Sequence, residues 1–326
     1  MTKRILEGLR WEPRNISQLA CIKGCLEYQG RDISYPWLYG GTGYAFVLNI
    51  HEILDPSGPD CWDTRPIFDL AANLGYKVNG FSIERAAAGD AFPALQRKAW
   101  DFVRDCLDRG LPCYGWEVDP YIPGYNTIHG YDDGEGGGYL YTGWTGAGVR
   151  DWHTLGETDV QILQVYSVEL VELQPAEKAV KDALTTVIQH SATSNGWYAH
   201  PGYATGPVGY DLWAEALEKG IAIRDGHSYN TDAWWECRKM AVDFLQEARQ
   251  RFPGRCDAAF DEAVAHYTTV CDHLKAASAL HPYHLETWDD AARLKDPESA
   301  SLVLQAGAAE RQGLDSLAKI VAGLGE

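Results

Sequence analysis

The chain of 326 residues is short of positive charge. It has 28 Lys and Arg against 46 Asp and Glu, which gives a formal net charge of −18. No Lys/Arg-rich run interrupts this pattern. Nucleic acids and membrane surfaces are themselves negative and repel such a chain at long range. We therefore expect no nucleic-acid and no membrane partner. The candidate pocket described below leads us to expect a small-molecule substrate or ligand instead, and the oligomeric state stays open.

Long apolar stretches are also missing. No apolar run approaches the roughly 18 residues that a membrane-spanning helix needs. The first residues, Met1 to Leu6, lead into charged and polar positions rather than into the apolar segment of a secretory signal. These features predict a cytoplasmic protein. Its eight cysteines are then expected to be reduced and mostly buried as small hydrophobic residues.

The common cofactor and metal motifs are absent as well. The sequence has no GxxxxGK[ST] phosphate loop, no GxGxxG dinucleotide loop, no HExxH and no CxxC pair. Cys271, His273, His281 and His284 have the chemistry of zinc ligands, but their spacing is not that of a common zinc site. We therefore predict no cofactor and no metal.

The first half of the sequence mixes helix and strand patterns. Apolar residues recur at helical spacing in residues 15–30 and 91–109. Alternating or β-branched stretches separated by Pro, Gly and Asp predict several strands. These are residues 44–50, 77–83, 113–118, 125–132, 139–144 and 160–173. Asp132 and Asp133 open a Gly-rich hairpin turn.

After Pro175 the strand patterns disappear, and five helices are predicted (176–190, 209–219, 232–251, 256–280 and 299–324). A length of 326 residues is typical of two domains. Strands followed by helices predict an α+β domain joined to a helical one. We place the domains at residues 1–174 and 175–326, with a central antiparallel sheet in the first and an all-helical second.

One helix and one strand carry the residues of a possible cysteine nucleophile. Cys21 and Cys25 lie in the first predicted helix, and His129 lies in the strand 125–132. A helix N-terminus stabilises a thiolate. A nucleophilic cysteine also needs an imidazole, which the fold and not the sequence brings close.

Several motifs, taken in their order along the chain, resemble those of bacterial papain-like proteins. The proteins in question are the C39-like cysteine-peptidase superfamily and the N-terminal domain of the butirosin acyltransferase family. The motifs are residues 20–30 (ACIKGCLEYQG), Ser34-Tyr35, residues 40–46 (GGTGYAF), Pro112–Glu117 and Ile128–Asp132. The resemblance covers about residues 15–145, and it implies a papain-like fold for the first domain.

The resemblance also implies roles for three residues. Cys21 would be the nucleophile, Asn15 would help to hold the oxyanion, and His129 is the nearby imidazole. The family's histidine should stand six residues before Gly130, where this chain has Gly124. Strand alternation places His129 on the opposite face from residue 124 unless a bulge shifts the register.

Other residues are candidates for a binding pocket. Glu117 ends a predicted strand and can face the same cleft. Gly41, Gly43 and Tyr44 belong to a Gly-rich turn that lets the backbone approach a ligand. Aromatic and His side chains crowd the irregular segment 196–209, where Trp197, His200 and Tyr203 are expected to line and cap the pocket of the first domain.

Two hypotheses follow, with a third beside them. The chain is either a cysteine-dependent amide hydrolase or acyl transferase with a small acyl substrate, or a non-catalytic small-molecule-binding or accessory protein on a papain-like scaffold. The departure at Gly124 favours the second. An unrelated enzyme that acts through carboxylates such as Glu117 and Asp132 is the third.

Overall fold

The structure is a computed structural model, and it describes residues 2–62, 64–121, 123–134, 137–192, 200–284 and 288–325. The helices are α1 (Ser17–Tyr28), α2 (Tyr35–Gly41), α3 (Arg65–Ala71), α4 (Arg85–Ala88), α5 (Phe92–Asp108), α6 (Ala176–Ser191), α7 (Pro207–Lys219), α8 (Arg224–Arg251), α9 (Asp257–Leu280) and α10 (Pro297–Gly323).

The strands are β1 (Lys3–Ile5), β2 (Asn49–His51), β3 (Tyr76–Glu84), β4 (Cys113–Trp116), β5 (Tyr125–Asp132), β6 (Gly138–Gly143), β7 (Gly146–Asp151), β8 (Ile162–Leu170), β9 (Tyr203–Thr205), β10 (Ala222–Ile223) and β11 (Arg293–Leu294). They pair antiparallel throughout. The chain is therefore α+β with an antiparallel sheet, as the sequence predicts.

The chain divides into two compact units. Unit 1 comprises Met1–Ser34 and Gly75–Leu173, and unit 2 comprises Tyr35–Leu74 and Gln174–Glu326. One boundary between the units lies between Leu173 and Gln174. Residues 35–74 differ from the prediction, because they cluster with the C-terminal helices rather than with the sheet.

Unit 1 is built on a seven-stranded sheet. Its strand order is β3-β8-β4-β5-β6-β7, and β1 pairs with β5. Helix α1 packs against β4, β5 and β8. Helix α5 buries the apolar stripe that its sequence spacing predicts, including Phe92, Trp100, Val103 and Leu107, in a core shared with the sheet.

Unit 2 is mainly helical. Helix α10 packs along α9 and α7, and α8 packs along α9 and α2. At its centre the Arg238 guanidinium, which is fully buried, donates to the Glu310 carboxylate at 2.8 Å. The same side chain donates to the backbone oxygens of Ala45 and Val47 at 3.1 and 2.8 Å. These bonds tie residues 45–47 to the C-terminal helices.

Three expectations about the elements need correction. Residues 44–46 form a 3-10 turn and not the start of a strand, and β2 covers only Asn49–His51. The C-terminal part is not all-helical, because it contains β9 to β11. The hairpin strand β7 has no counterpart among the predicted strands. Within the described residues, no helix is long and apolar enough to cross a membrane.

Candidate functional site

Cys21 lies in the middle of α1 and is completely buried. Burial, followed by the neighbouring Cys25 thiol, raises the pKa of Cys21 well above its usual value, while the Trp11 indole acts in the opposite direction. Its surroundings also include the buried Tyr114. A nucleophilic cysteine needs a lowered pKa and an accessible thiolate. The environment of Cys21 is that of a structural thiol.

The helix begins one turn earlier, at Ser17. The Ser17 hydroxyl accepts a hydrogen bond from the backbone N–H of Tyr125 at 2.9 Å. Gly124 precedes that residue, and a Cβ atom built on Gly124 would lie 3.1 Å from Ser17 Oγ. The position at which the family resemblance requires a histidine therefore faces Ser17 and not Cys21.

Gly124 is also unsuited to carry a side chain. Its φ is +138°, in the range that L residues rarely adopt. A histidine here would be strained by its backbone conformation as well as crowded by Ser17. The local backbone is therefore built for glycine.

His129 lies at a β-bulge, where the register between β5 and β6 shifts between Ile128 and Gly130. Its half-buried ring forms a hydrogen bond through Nδ1 with Thr142 Oγ1 at 3.2 Å, and burial lowers its pKa. The bulge that would re-aim His129 is present. Within the described part of the chain, however, no hydrogen bond or electrostatic interaction joins His129 to Cys21.

Asn15 and Glu117 are the other candidates in unit 1. Asn15 is half-buried, two residues before α1 begins. Glu117 has a φ of +49° and sits in the turn between β4 and β5. Burial raises its pKa, and its carboxylate accepts from the Asp159 N–H at 3.3 Å. Asp132 caps the hairpin turn by accepting from the Gly134 N–H at 3.0 Å.

The Gly-rich turn belongs to unit 2 and serves packing. A Cβ atom at Gly40 would lie 2.0 Å from the Phe244 ring, and one at Gly41 would lie 2.5 Å from Leu74. Gly43 has a φ of +77° and starts the 3-10 turn. The glycines therefore let helices approach closely. This explains their presence without an anion.

Tyr44 and Tyr203 converge on one loop of unit 2, residues 52–62, which we name the Asp60 loop. The Tyr44 hydroxyl donates to the Pro59 carbonyl oxygen, and the Trp62 indole donates to the same oxygen at 2.8 Å. The Tyr203 hydroxyl shares a hydrogen bond with Ser57 Oγ. His200 is exposed and packs edge-on against Tyr203. Trp197 lies outside the described residues.

Two asparagines fix the backbone of the Asp60 loop from within the unit. Asn49 Nδ2 donates to the carbonyl oxygens of Gly58 and Cys61 at 2.8 and 3.0 Å. Asn230 of α8 donates to the Asp55 carbonyl oxygen at 3.1 Å. A loop held by this many side-chain bonds presents its side chains in a fixed arrangement.

Asp60 itself is half-buried, and no donor among the described residues binds its carboxylate. Burial raises its pKa to about 7. Burial and then the Asp60 charge raise the pKa of both Tyr44 and Tyr229. The Asn49 Oδ1 atom is fully buried and has no donor among the described residues.

The sequence reasoning missed Ser17 and Asp60. Ser17 could have been found from the helix start, because serine favours the first positions of a helix. Asp60 has no sequence signal, since its raised pKa arises from the packing around it.

The predicted site residues fall into two groups, one in each unit. Cys21, Asn15, Glu117 and His129 belong to unit 1, whereas Gly41, Gly43, Tyr44, His200 and Tyr203 belong to unit 2.

The four candidate zinc ligands do not gather. His281 Nε2 is paired with Asp296 at 2.7 Å. Over the described ranges, no group of three or more His, Cys, Asp or Glu side chains is arranged to hold a metal ion.

Comparison with known proteins gives no identification: no family model matches the chain, and no curated protein matches it significantly.

Proposed function

We propose that this chain is a non-catalytic small-molecule-binding protein, and that unit 1 is a papain-like scaffold without cysteine chemistry. The alternative is a cysteine-dependent hydrolase or acyl transferase that uses Cys21. The two differ in what they require of one side chain. An enzyme needs a Cys21 thiolate that meets an acyl carbonyl and passes a proton to an imidazole.

The observation that carries the proposal is the environment of Cys21. The thiol is fully buried, and burial with the Cys25 thiol raises its pKa. At neutral pH such a group stays protonated, and only the thiolate attacks acyl carbonyls. The imidazole of His129 is engaged with Thr142. Among the described residues, Cys21 therefore has neither the charge state nor the base of a nucleophile.

Ser17 and Gly124 support the same conclusion. Gly124 stands where the resemblance implies the histidine, and a Cβ atom there would meet Ser17 Oγ at 3.1 Å rather than Cys21. The Ser17 hydroxyl is 5% exposed and is bound by the Tyr125 N–H. Gly124 offers no side chain to remove its proton. A serine without a base is a weak nucleophile.

The test is acylation followed by intact-protein and peptide mass spectrometry. The full chain is incubated with p-nitrophenyl acetate at pH 7.5, beside the Cys21→Ser variant. We expect both proteins to release nitrophenol at the same slow rate, with no acetyl group on Cys21 or Ser17. Rapid acetylation of Cys21 that the variant loses would contradict the proposal and restore the enzyme hypothesis.

A further inference from the structure

We draw no further inference here: the strongest candidate, the N-terminus of helix α1, where the fully buried Nε2 atom of Gln18 has no acceptor among the described residues, carries nothing because no cavity in the described part of the chain is shown to bring a ligand to it.

Discussion

At the scale of single residues, burial decides which titratable groups can act. Cys21 has the residue type and the helix of a nucleophile, but its burial raises its pKa and keeps it protonated. Asp60 has an ordinary sequence context, yet burial brings its pKa to about 7. Burial therefore keeps Cys21 from acting as a nucleophile, and it allows Asp60 to change its protonation state near neutral pH.

His227 gives a prediction about pH. It is fully buried in α8, it accepts from the Trp213 indole at 2.9 Å, and burial lowers its pKa to about 3. In the unfolded chain its pKa is about 6.5, so acid protonates the unfolded state first. Its stabilising contribution is present above pH 6.5 and is lost as the pH falls toward 3.

Urea unfolding at pH 7 and pH 5 measures this contribution. Replacing His227 by Gln keeps an acceptor for Trp213 and removes the titration. We expect the parent to lose about 2 kcal/mol more than His227→Gln between the two pH values. Exposed His200→Gln is the control and should follow the parent. Equal losses in parent and His227→Gln would contradict the account.

At the scale of elements, regular patterns were predictable and irregular backbone was not. The apolar spacing of Phe92, Trp100 and Leu107 predicts α5, because a helix repeats every 3.6 residues. Strand β7 has the sequence GAGVRD, which lacks an alternating apolar face. It forms a strand because it pairs with β6 at the edge of the sheet, and its own sequence does not indicate this pairing.

The positions of the candidate site residues could not be predicted from local sequence patterns either. Tyr44 and Phe46 favour a strand by composition, but their rings pack in a core, with Phe46 5.0 Å from Tyr267. A contact over more than two hundred residues cannot be inferred from local propensity. The bulge at His129 likewise depends on its pairing with β6. The sequence could supply candidate residue types for the site, but not their grouping.

Gly40 gives a prediction about element packing. Its Cα faces the Phe244 ring of α8, and a Cβ atom would lie 2.0 Å from it. Gly40→Ala should lower the free energy of unfolding by about 1–3 kcal/mol through overpacking. Adding Phe244→Leu should recover part of that loss. As a control, Gly30→Ala has no neighbouring atom and should combine additively with Phe244→Leu. Urea unfolding of the single and double variants measures the coupling, and strict additivity with Gly40→Ala would contradict this packing.

At the scale of the whole molecule, sequence order and structural units do not coincide. Residues 35–74 precede most of unit 1 in the chain but belong to unit 2. They supply the carbonyl oxygens that bind Arg238 and the strand that pairs with β9. The C-terminal helices thus need an N-terminal segment to complete their core.

A fragment of residues 175–326 tests this organisation. Without residues 45–47 the Arg238 guanidinium keeps Glu310 but loses two of its acceptors, and a buried charge left partly unsatisfied destabilises a core by several kcal/mol. We expect the fragment to lack a cooperative thermal transition by circular dichroism. Full-length protein, which should melt cooperatively, is the control. A fragment that melts cooperatively near the same temperature would contradict the assignment of residues 35–74.

The central claim is that Cys21 is a structural thiol, and its native alkylation rate tests this most directly. The protein is treated with iodoacetamide at pH 7.5, and labelling of Cys21 is compared with that of half-exposed Cys256 by peptide mass spectrometry. The account predicts that Cys256 is labelled while Cys21 stays unmodified until urea unfolds the chain. Labelling of Cys21 before Cys256 in the folded protein, persisting below pH 7, would show a reactive thiolate and contradict the account.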